Sequence, residues 1–524
     1  MTVVPKSVPS QAPPPPWPVE DPIFWDATGK KFATRNLWIS MPCLLLAFAV
    51  WMMWSILIVQ MQNSGFPFTK AQLYTLPAIA GLAGATLRIN NSFILAIAGG
   101  RNVVALTTFL LLIPALGAGI ALRSTETPYW VFALLAALSG IGGGNFASSM
   151  ANISAFYPKS RQGTALGFNA GIGNLGVSVM QVLIPIVMGF SLFGAFGGEP
   201  LALTKAAGGL PVGTPVWIQN GGLVWVPILA GLAVLAWWRM DNLPMQLAKP
   251  TVAALGRSLW LLTLGFAATG LCLWLLLGLA WSMWIVLPMV IVITLALMRY
   301  VTPVTVRQSL RLQFTIFSDR HTWLMTILYI MTFGSFIGYS AAFPKLIQDV
   351  FGTLPDGSIN PQAPNPFTYA WLGPLVGSLA RTVGGPLSDR FGGARVTQWT
   401  TVVMIIAALA VAWCLTAALH ATNPQEYFMP FLLLFLLLFI TTGIGNASTF
   451  RMIPVIFDAR FAGAVLGWTS AVAAYGAFII PKVFGGLIEI RHPEYAMYGF
   501  AGFYVLCLMV NWWCYARSGA EKPC

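Results

Sequence analysis

Two arginines stand where charge is costly. Arg88 lies near the middle of an apolar run from about residue 73 to 98, in the stretch GATLRINN (84–91). Arg381 lies near the middle of another, in GSLARTVGGPLSDRFGGAR (377–395). A charged side chain at the centre of a membrane helix costs roughly 2.5–3.5 kcal/mol on insertion scales. Snorkelling to a headgroup relieves that cost only near helix ends, and both residues are too central for it. A carboxylate partner is the next candidate. The chain has 15 acidic residues, and on the expected spans each falls in a loop, a tail or a helix end. Two buried cations without a protein counter-ion are expensive. The economical answer is that a small anionic ligand is the counter-ion. Arginine suits a planar oxyanion, because its fork of donors meets two oxygens at once. It also stays protonated at any physiological pH.

Other side chains near these positions suit the same task. Asn145, Asn169, Asn174 and Asn446 are amides in apolar helices, and each needs partners. An amide donates to an anion without adding charge. Phe146, Tyr329 and Phe333 are either walls of that site or ordinary core. The glycines of SGIGGGNFASSMANIS (139–154), GFNAGIGNLGVSVM (167–180) and TTGIGNAST (441–449) read first as close helix packing, since small residues let backbones approach. No nucleophile–base pair, metal-ligand spacing or cofactor motif is legible, so an enzyme is not expected. The six cysteines and three histidines receive no role.

The elements that must hold these residues are membrane helices. Mean hydropathy is +0.76 and only 8% of the 524 residues are charged, a composition outside the soluble classes. Apolar runs long enough to cross a core of about 30 Å recur along the chain. Segments are expected at about 37–60, 72–98, 103–122, 129–156, 163–190, 222–240, 258–277, 281–299, 322–344, 366–388, 395–418, 427–450, 463–483 and 496–516, about fourteen in all. The net charge of +13 is spread over short loops, where it sets orientation and does not argue for nucleic acid. Most Lys and Arg fall in the loops that place both termini in the cytoplasm. The first 23 residues are proline-rich without an apolar h-region, so they read as a mobile tail and not as a cleaved signal.

The chain also repeats itself. Arg88 follows Gly84 by four residues, and Gly99-Gly100 begins eleven residues later; Arg381 follows Gly377 by four, and Gly392-Gly393 begins eleven later. Gly144-Asn145 then precedes RQGTALG (161–167), as Gly445-Asn446 precedes RFAGAVLG (460–467). Corresponding marks in the same order indicate two halves, a common transporter design. The expected organisation is a tail (1–34), a six-helix bundle (35–245), a linker with an extra two-helix hairpin (246–320), a second six-helix bundle (321–517) and a tail (518–524). As a pair, the hairpin leaves the second half in parallel orientation.

GGPLSDRFGGAR (384–395) resembles the loop motif of the major facilitator superfamily, in which Asp and Arg latch neighbouring helices; here these are Asp389 and Arg390. Over nearly its whole length the chain resembles the bacterial nitrate/nitrite porters of the NarK type. The resemblance rests on RNLWISMPCLLLAFAVWM (35–52), GNFASSMANIS (144–154), GTALGFNAGIGNLGVSVMQ (163–181), TFGSFIGYSAAF (332–343) and GSLARTVGGPLSDRFGGARVT (377–397). It implies two six-helix bundles around a positively charged pathway. It implies that Arg88 and Arg381 bind substrate with Asn174, and that Phe146, Tyr329 and Phe333 wall the site. It also implies two glycine-rich signature helices, with Gly163, Gly167, Gly171, Gly173 and Gly176 in one and Gly463, Gly467 and Gly476 in the other. The 258–299 hairpin departs from the twelve-helix pattern. The resemblance implies a nitrate/nitrite porter of the bacterial inner membrane, and the two unpaired arginines favour exchange of nitrate for nitrite, by a monomer without a cofactor. The rival is proton-coupled nitrate import, which needs a titratable carrier that the inventory does not show near the arginines. A channel would not need two matched halves, and a sensor would carry a soluble output domain.

Overall fold

The computed structural model describes residues 17–205, 210–244, 250–352, 354, 358 and 360–524. The expected mobile tail, up to residue 16, and the start of the expected linker, 245–249, lie outside the described residues. The described residues fold into fourteen long helices: α1 (Pro22–Asn63), α2 (Lys70–Ala98), α3 (Gly100–Ala121), α4 (Tyr129–Phe156), α5 (Lys159–Val187), α6 (Asn220–Arg239), α7 (Thr251–Gly278), α8 (Met283–Tyr300), α9 (Arg320–Phe351), α10 (Leu372–Phe391), α11 (Gly393–His420), α12 (Pro424–Ile456), α13 (Phe461–Glu489) and α14 (Glu494–Ala516). Twelve of them are long and apolar enough to cross a membrane. The other two, α2 and α10, are the helices that carry Arg88 and Arg381. This is an all-α polytopic membrane protein.

Local chemistry sets the helix starts. The Asp21 carboxylate accepts from the Ile23 N–H at 2.9 Å, with Pro22 at the first helical position. The first helix therefore starts well before the expected residue 37. Thr69 and Gln72 form a reciprocal capping box at the start of α2. Pro128, Pro158 and Pro250 immediately precede α4, α5 and α7 with φ between −68° and −67°, a geometry that stops a loop and lets a helix begin.

Because successive helices reverse direction, one end of the bundle carries both chain termini and the other end is remote from them; we call these the terminal end and the far end. The two-residue strands β1 (Leu201–Ala202) and β2 (Pro215–Val216) pair antiparallel in a far-end loop. At the terminal end the last residues fold back. The Cys524 carbonyl accepts from the Ala394 N–H at 3.0 Å, and Glu521 pairs with Arg320 and, at 3.2 Å, with His321 Nε2.

The internal repeat is visible in the backbone. Gly99 and Gly392, the first glycines of the two matched pairs, have φ of +82° and +89° at the turns α2–α3 and α10–α11. Only glycine adopts that conformation without strain. The hairpin α7–α8 packs against the flank of α2. There Asn90 Nδ2 donates to the Leu261 carbonyl at 2.5 Å, and a Cβ on Gly265 would meet Leu87 at 2.7 Å.

Candidate functional site

Each arginine is held by a glycine contact within its own bundle. On α2, Gly84 lies one turn before Arg88. A Cβ there would come within 2.4 Å of the Trp51 indole, and one on Gly143 of α4 within 2.7 Å of Gly84. These glycines let the Trp51 ring from α1 pass beneath Arg88. The second bundle repeats the arrangement. A Cβ on Gly443 of α12 would meet the Gly377 carbonyl of α10 at 2.1 Å, four residues before Arg381. The other half of each arginine's environment comes from across the molecule. The glycine-rich helix α13 packs on α2, and the glycine-rich helix α5 packs on α10.

Arg88 is fully buried. Its Nε donates to the Gly143 carbonyl at 2.7 Å and its Nη1 to the Ser470 carbonyl of α13 at 3.2 Å. Its Nη2 has no partner among the described residues. Arg381, also buried, donates from Nη2 to the Tyr329 hydroxyl at 3.0 Å, while Nε and Nη1 have no partner among the described residues. No carboxylate pairs with either arginine among the described residues.

Aromatic faces stand in instead. The Arg88 guanidinium carbon is 4.7 Å from the centre of the Phe146 ring and 5.1 Å from Phe333; the Arg381 carbon is 5.4 Å and 5.9 Å from the same two rings. Phe146 and Phe333 stack at 5.4 Å, and Phe333 stacks on Tyr329 at 5.4 Å with the rings 6° from parallel. The Tyr329–Phe333 stack depends on a single wide helical turn, Ile330–Gly334, inside α9. Such π-turns are frequent at functional sites. A desolvated cation–π contact contributes about 2 kcal/mol. That eases the burial of two cations, but a ring quadrupole is no counter-ion.

Asn174 is fully buried and neither its Nδ2 nor its Oδ1 has a partner among the described residues. It lies on the stripe of α5 that faces α10. One turn before it, a Cβ on Gly171 would meet Thr382 at 2.6 Å; one turn beyond, Ser178 donates to the Trp371 carbonyl at 2.9 Å. Asn446 on α12 is likewise buried with its amide unpaired among the described residues, whereas Asn169 donates to Ser149 Oγ at 2.9 Å. From Arg381 a narrow cavity of about 10 Å³ leads toward the terminal end, past Gly163, Gly167, Phe450 and Arg451. That is room for about one water.

The chain has relatives among known proteins. No family model matches the chain. A probable nitrate/nitrite antiporter, NarK2 of Thermus thermophilus, is 42% identical, with 97% of each chain covered. The nitrate/nitrite transporter NarU of Escherichia coli K12 is 35% identical, with 96% of each covered. The chain belongs to the nitrate/nitrite transporter family. Its fold is that of the major facilitator superfamily: the proton:xylose symporter XylE, bound to a bromodeoxyglucose, superposes with a TM-score of 0.59 over 92% of this chain and 96% of its own, at 13% identity. The relatives are transporters and not enzymes.

Within this member of the family the signature glycines divide into two groups. Gly171, Gly173, Gly176, Gly467 and Gly476 lie where a Cβ would meet Thr382, Leu44, the Leu45 carbonyl, Ser92 and the Gly334 carbonyl within 2.7 Å. They are packing glycines. Gly167 faces open space, and Gly463 has only the Ala151 methyl, at 4.0 Å. The loop motif is also more specific than its sequence suggests. Asp389 pairs with Arg451 of α12, and a Cβ on Gly163 of α5 would lie 3.0 Å from the same carboxylate. Arg390 takes no part in that pair; it is exposed, over the Phe391 ring at 5.2 Å. The first half has Ala96 and Met150 at the matching positions, so the pair belongs to one bundle only.

Two residues of the aromatic cage escaped the sequence reading. Phe450 lies 5.5 Å from the Arg381 guanidinium and 4.3 Å from Tyr329, and Trp51 lies 5.3 Å from Arg88. Phe450 stands one turn past Asn446 on α12, and that spacing is the signal that pointed to it. Trp51 had none, because its place follows from the α1–α2 packing.

Proposed function

We propose that this protein exchanges nitrate for nitrite across the bacterial inner membrane by alternating access, with Arg88 and Arg381 binding the anion. In this reading all fourteen helices cross the bilayer and both termini are cytoplasmic, in keeping with the distribution of Lys and Arg over the loops. The observation that carries the reading is the set of three unpartnered guanidinium nitrogens, Arg88 Nη2 and Arg381 Nε and Nη1. They are buried beside one Phe146–Phe333 stack, without a carboxylate partner among the described residues. The naming of the Thermus relative as a probable nitrate/nitrite antiporter supports the same conclusion.

The mechanism follows from charge. The empty carrier holds two desolvated cations, and switching empty drags both through a low-dielectric interior. A monovalent planar oxyanion removes one charge and accepts the unused donors, with Asn174 as a further neutral partner. The cavity at Arg381 is too small for it in this conformation, so binding must separate Phe146 from its neighbours. The anion then draws the two bundles together around itself. A ligand shifts such an equilibrium only through tighter binding to the switching state. Switching loaded but not empty is obligatory exchange, and one nitrate for one nitrite moves no net charge.

Counterflow in proteoliposomes tests this. Vesicles loaded with nitrate should take up labelled nitrite at a rate nearly independent of an imposed pH gradient. If a proton gradient instead drives nitrate accumulation into vesicles that hold no exchangeable anion, the carrier is a symporter.

A further inference from the structure

One charged cluster lies outside the site. Near the far end, the Tyr74 hydroxyl of α2 donates to Asp349 of α9, and Lys345, one turn earlier on α9, pairs with the same carboxylate. The lysine and aspartate side chains are only 4% and 11% exposed, and the Lys345 ammonium sits 4.9 Å from the centre of the Tyr74 ring. Tyr74 belongs to the first bundle; Lys345 and Asp349 belong to the second. The hydrogen bond therefore crosses the plane along which the bundles must part. Two turns deeper the halves touch backbone to backbone, where a Cβ on Gly81 would lie 2.9 Å from the Ala477 carbonyl. Between this level and the arginines, the bonds from Ser178 to the Trp371 carbonyl (2.9 Å) and from Gln181 to the Ser340 carbonyl (3.4 Å) also cross.

We propose that Tyr74, Lys345 and Asp349 are the latch that closes the far end, and that the anion enters or leaves there only after the Tyr74–Asp349 hydrogen bond breaks. The inference rests on the alternating-access reading above. Its physical logic lies in how the charges divide. A hydrogen bond to a carboxylate is roughly twice as strong as one between neutral groups, so it outweighs either neutral bond beneath it. A buried carboxylate without a partner is costly. When the bundles part, Asp349 keeps Lys345, because both ride on α9, and only the neutral Tyr74 hydroxyl is released to water. The contact is thus strong when closed and leaves no orphan charge when open. The terminal-end pair Asp389–Arg451 lies wholly within the second bundle and has no such effect.

The test is access from the far side to a cysteine placed between latch and site. Ser178→Cys is a small change at a buried position one turn beyond Asn174. Its alkylation by a membrane-impermeant maleimide added on the far side, less the labelling of the parent, reports opening. Tyr74→Phe removes one hydroxyl and leaves the ion pair in place. It should raise the labelling rate on the order of tenfold, the factor expected for one charge-assisted bond. The double variant Lys345→Met/Asp349→Leu carries no buried charge, so it should fold and show the same rise. With the latch intact, nitrate should change the labelling rate of Ser178→Cys. If nitrate does so but both latch variants label like Ser178→Cys alone, the latch is refuted and alternating access stands. If nitrate changes nothing, alternating access fails and the latch falls with it.

Discussion

Phe146 faces both arginines, and its ring is what each guanidinium has in place of a carboxylate. The geometry makes the arginine fork, and not merely its charge, the feature under test. Arg88→Lys and Arg381→Lys keep the charge and lose the second donor. Each should lower nitrate/nitrite exchange between about ten- and a hundredfold, the loss of one or two charge-assisted hydrogen bonds, while purified protein keeps its melting temperature within a few degrees. Near-normal exchange in either lysine variant would mean that the anion is held elsewhere. Phe146→Leu tests the ring itself. It preserves an apolar side chain but removes the π face that both cations contact, and should destabilise the empty carrier more than the nitrate-bound one. The check is a larger nitrate-induced rise in melting temperature than the parent shows.

At the scale of elements, the arginine-bearing helix of each half is flanked by the glycine-rich helix of the other. Gly171 of α5 and Gly467 of α13 lie where the bundles meet, whereas Gly173, Gly176 and Gly476 pack within their own bundles. The hairpin α7–α8 is different. It lies on the flank of α2 beside Leu87 and Asn90, away from the Phe146 stack. Replacing it with a flexible link should leave exchange measurable while lowering yield and melting temperature, because Asn90 loses its carbonyl partner and faces lipid. Asn90→Leu in the shortened protein should recover part of that stability, since it removes the orphaned amide. A well-folded deletion variant without exchange would instead make the hairpin part of the transport machinery.

For the whole molecule the issue is net charge across the cycle. In the exchange reading one monovalent anion replaces another, so a full cycle moves no net charge. Exchange should then be indifferent to membrane potential. A valinomycin-imposed potential of either sign should leave the nitrite-for-nitrate counterflow rate unchanged, and nitrate should enter vesicles empty of exchangeable anion only slowly. A rate that rises with inside-positive potential would mean that each turnover carries net negative charge inward, which one-for-one exchange does not do.

The sequence by itself determined the all-helical membrane class, most helix positions and the paired arginines. Hydropathy over about 20 residues and charge at the wrong depth are local properties of a chain. It also determined the repeat, since the glycines that end α2 and α10 must adopt φ values few other residues tolerate. Family motifs placed Phe146, Tyr329, Phe333 and Asn174 together, and the structure brings the aromatic three and both arginines into one cage. What only the tertiary structure decided is which surfaces face each other. Trp51 reaches Arg88 through the packing of α1 on α2, which leaves no period or motif in the sequence. Asp389 finds Arg451, and not a partner beside Arg390, because α10 and α12 are neighbours in space and 62 residues apart along the chain at that point. Asp349 reads as a helix-end carboxylate and becomes a buried bridge between bundles only when α2 and α9 come together. Long-range neighbours are set by the sum of many small packing choices, and no short stretch of sequence records that sum.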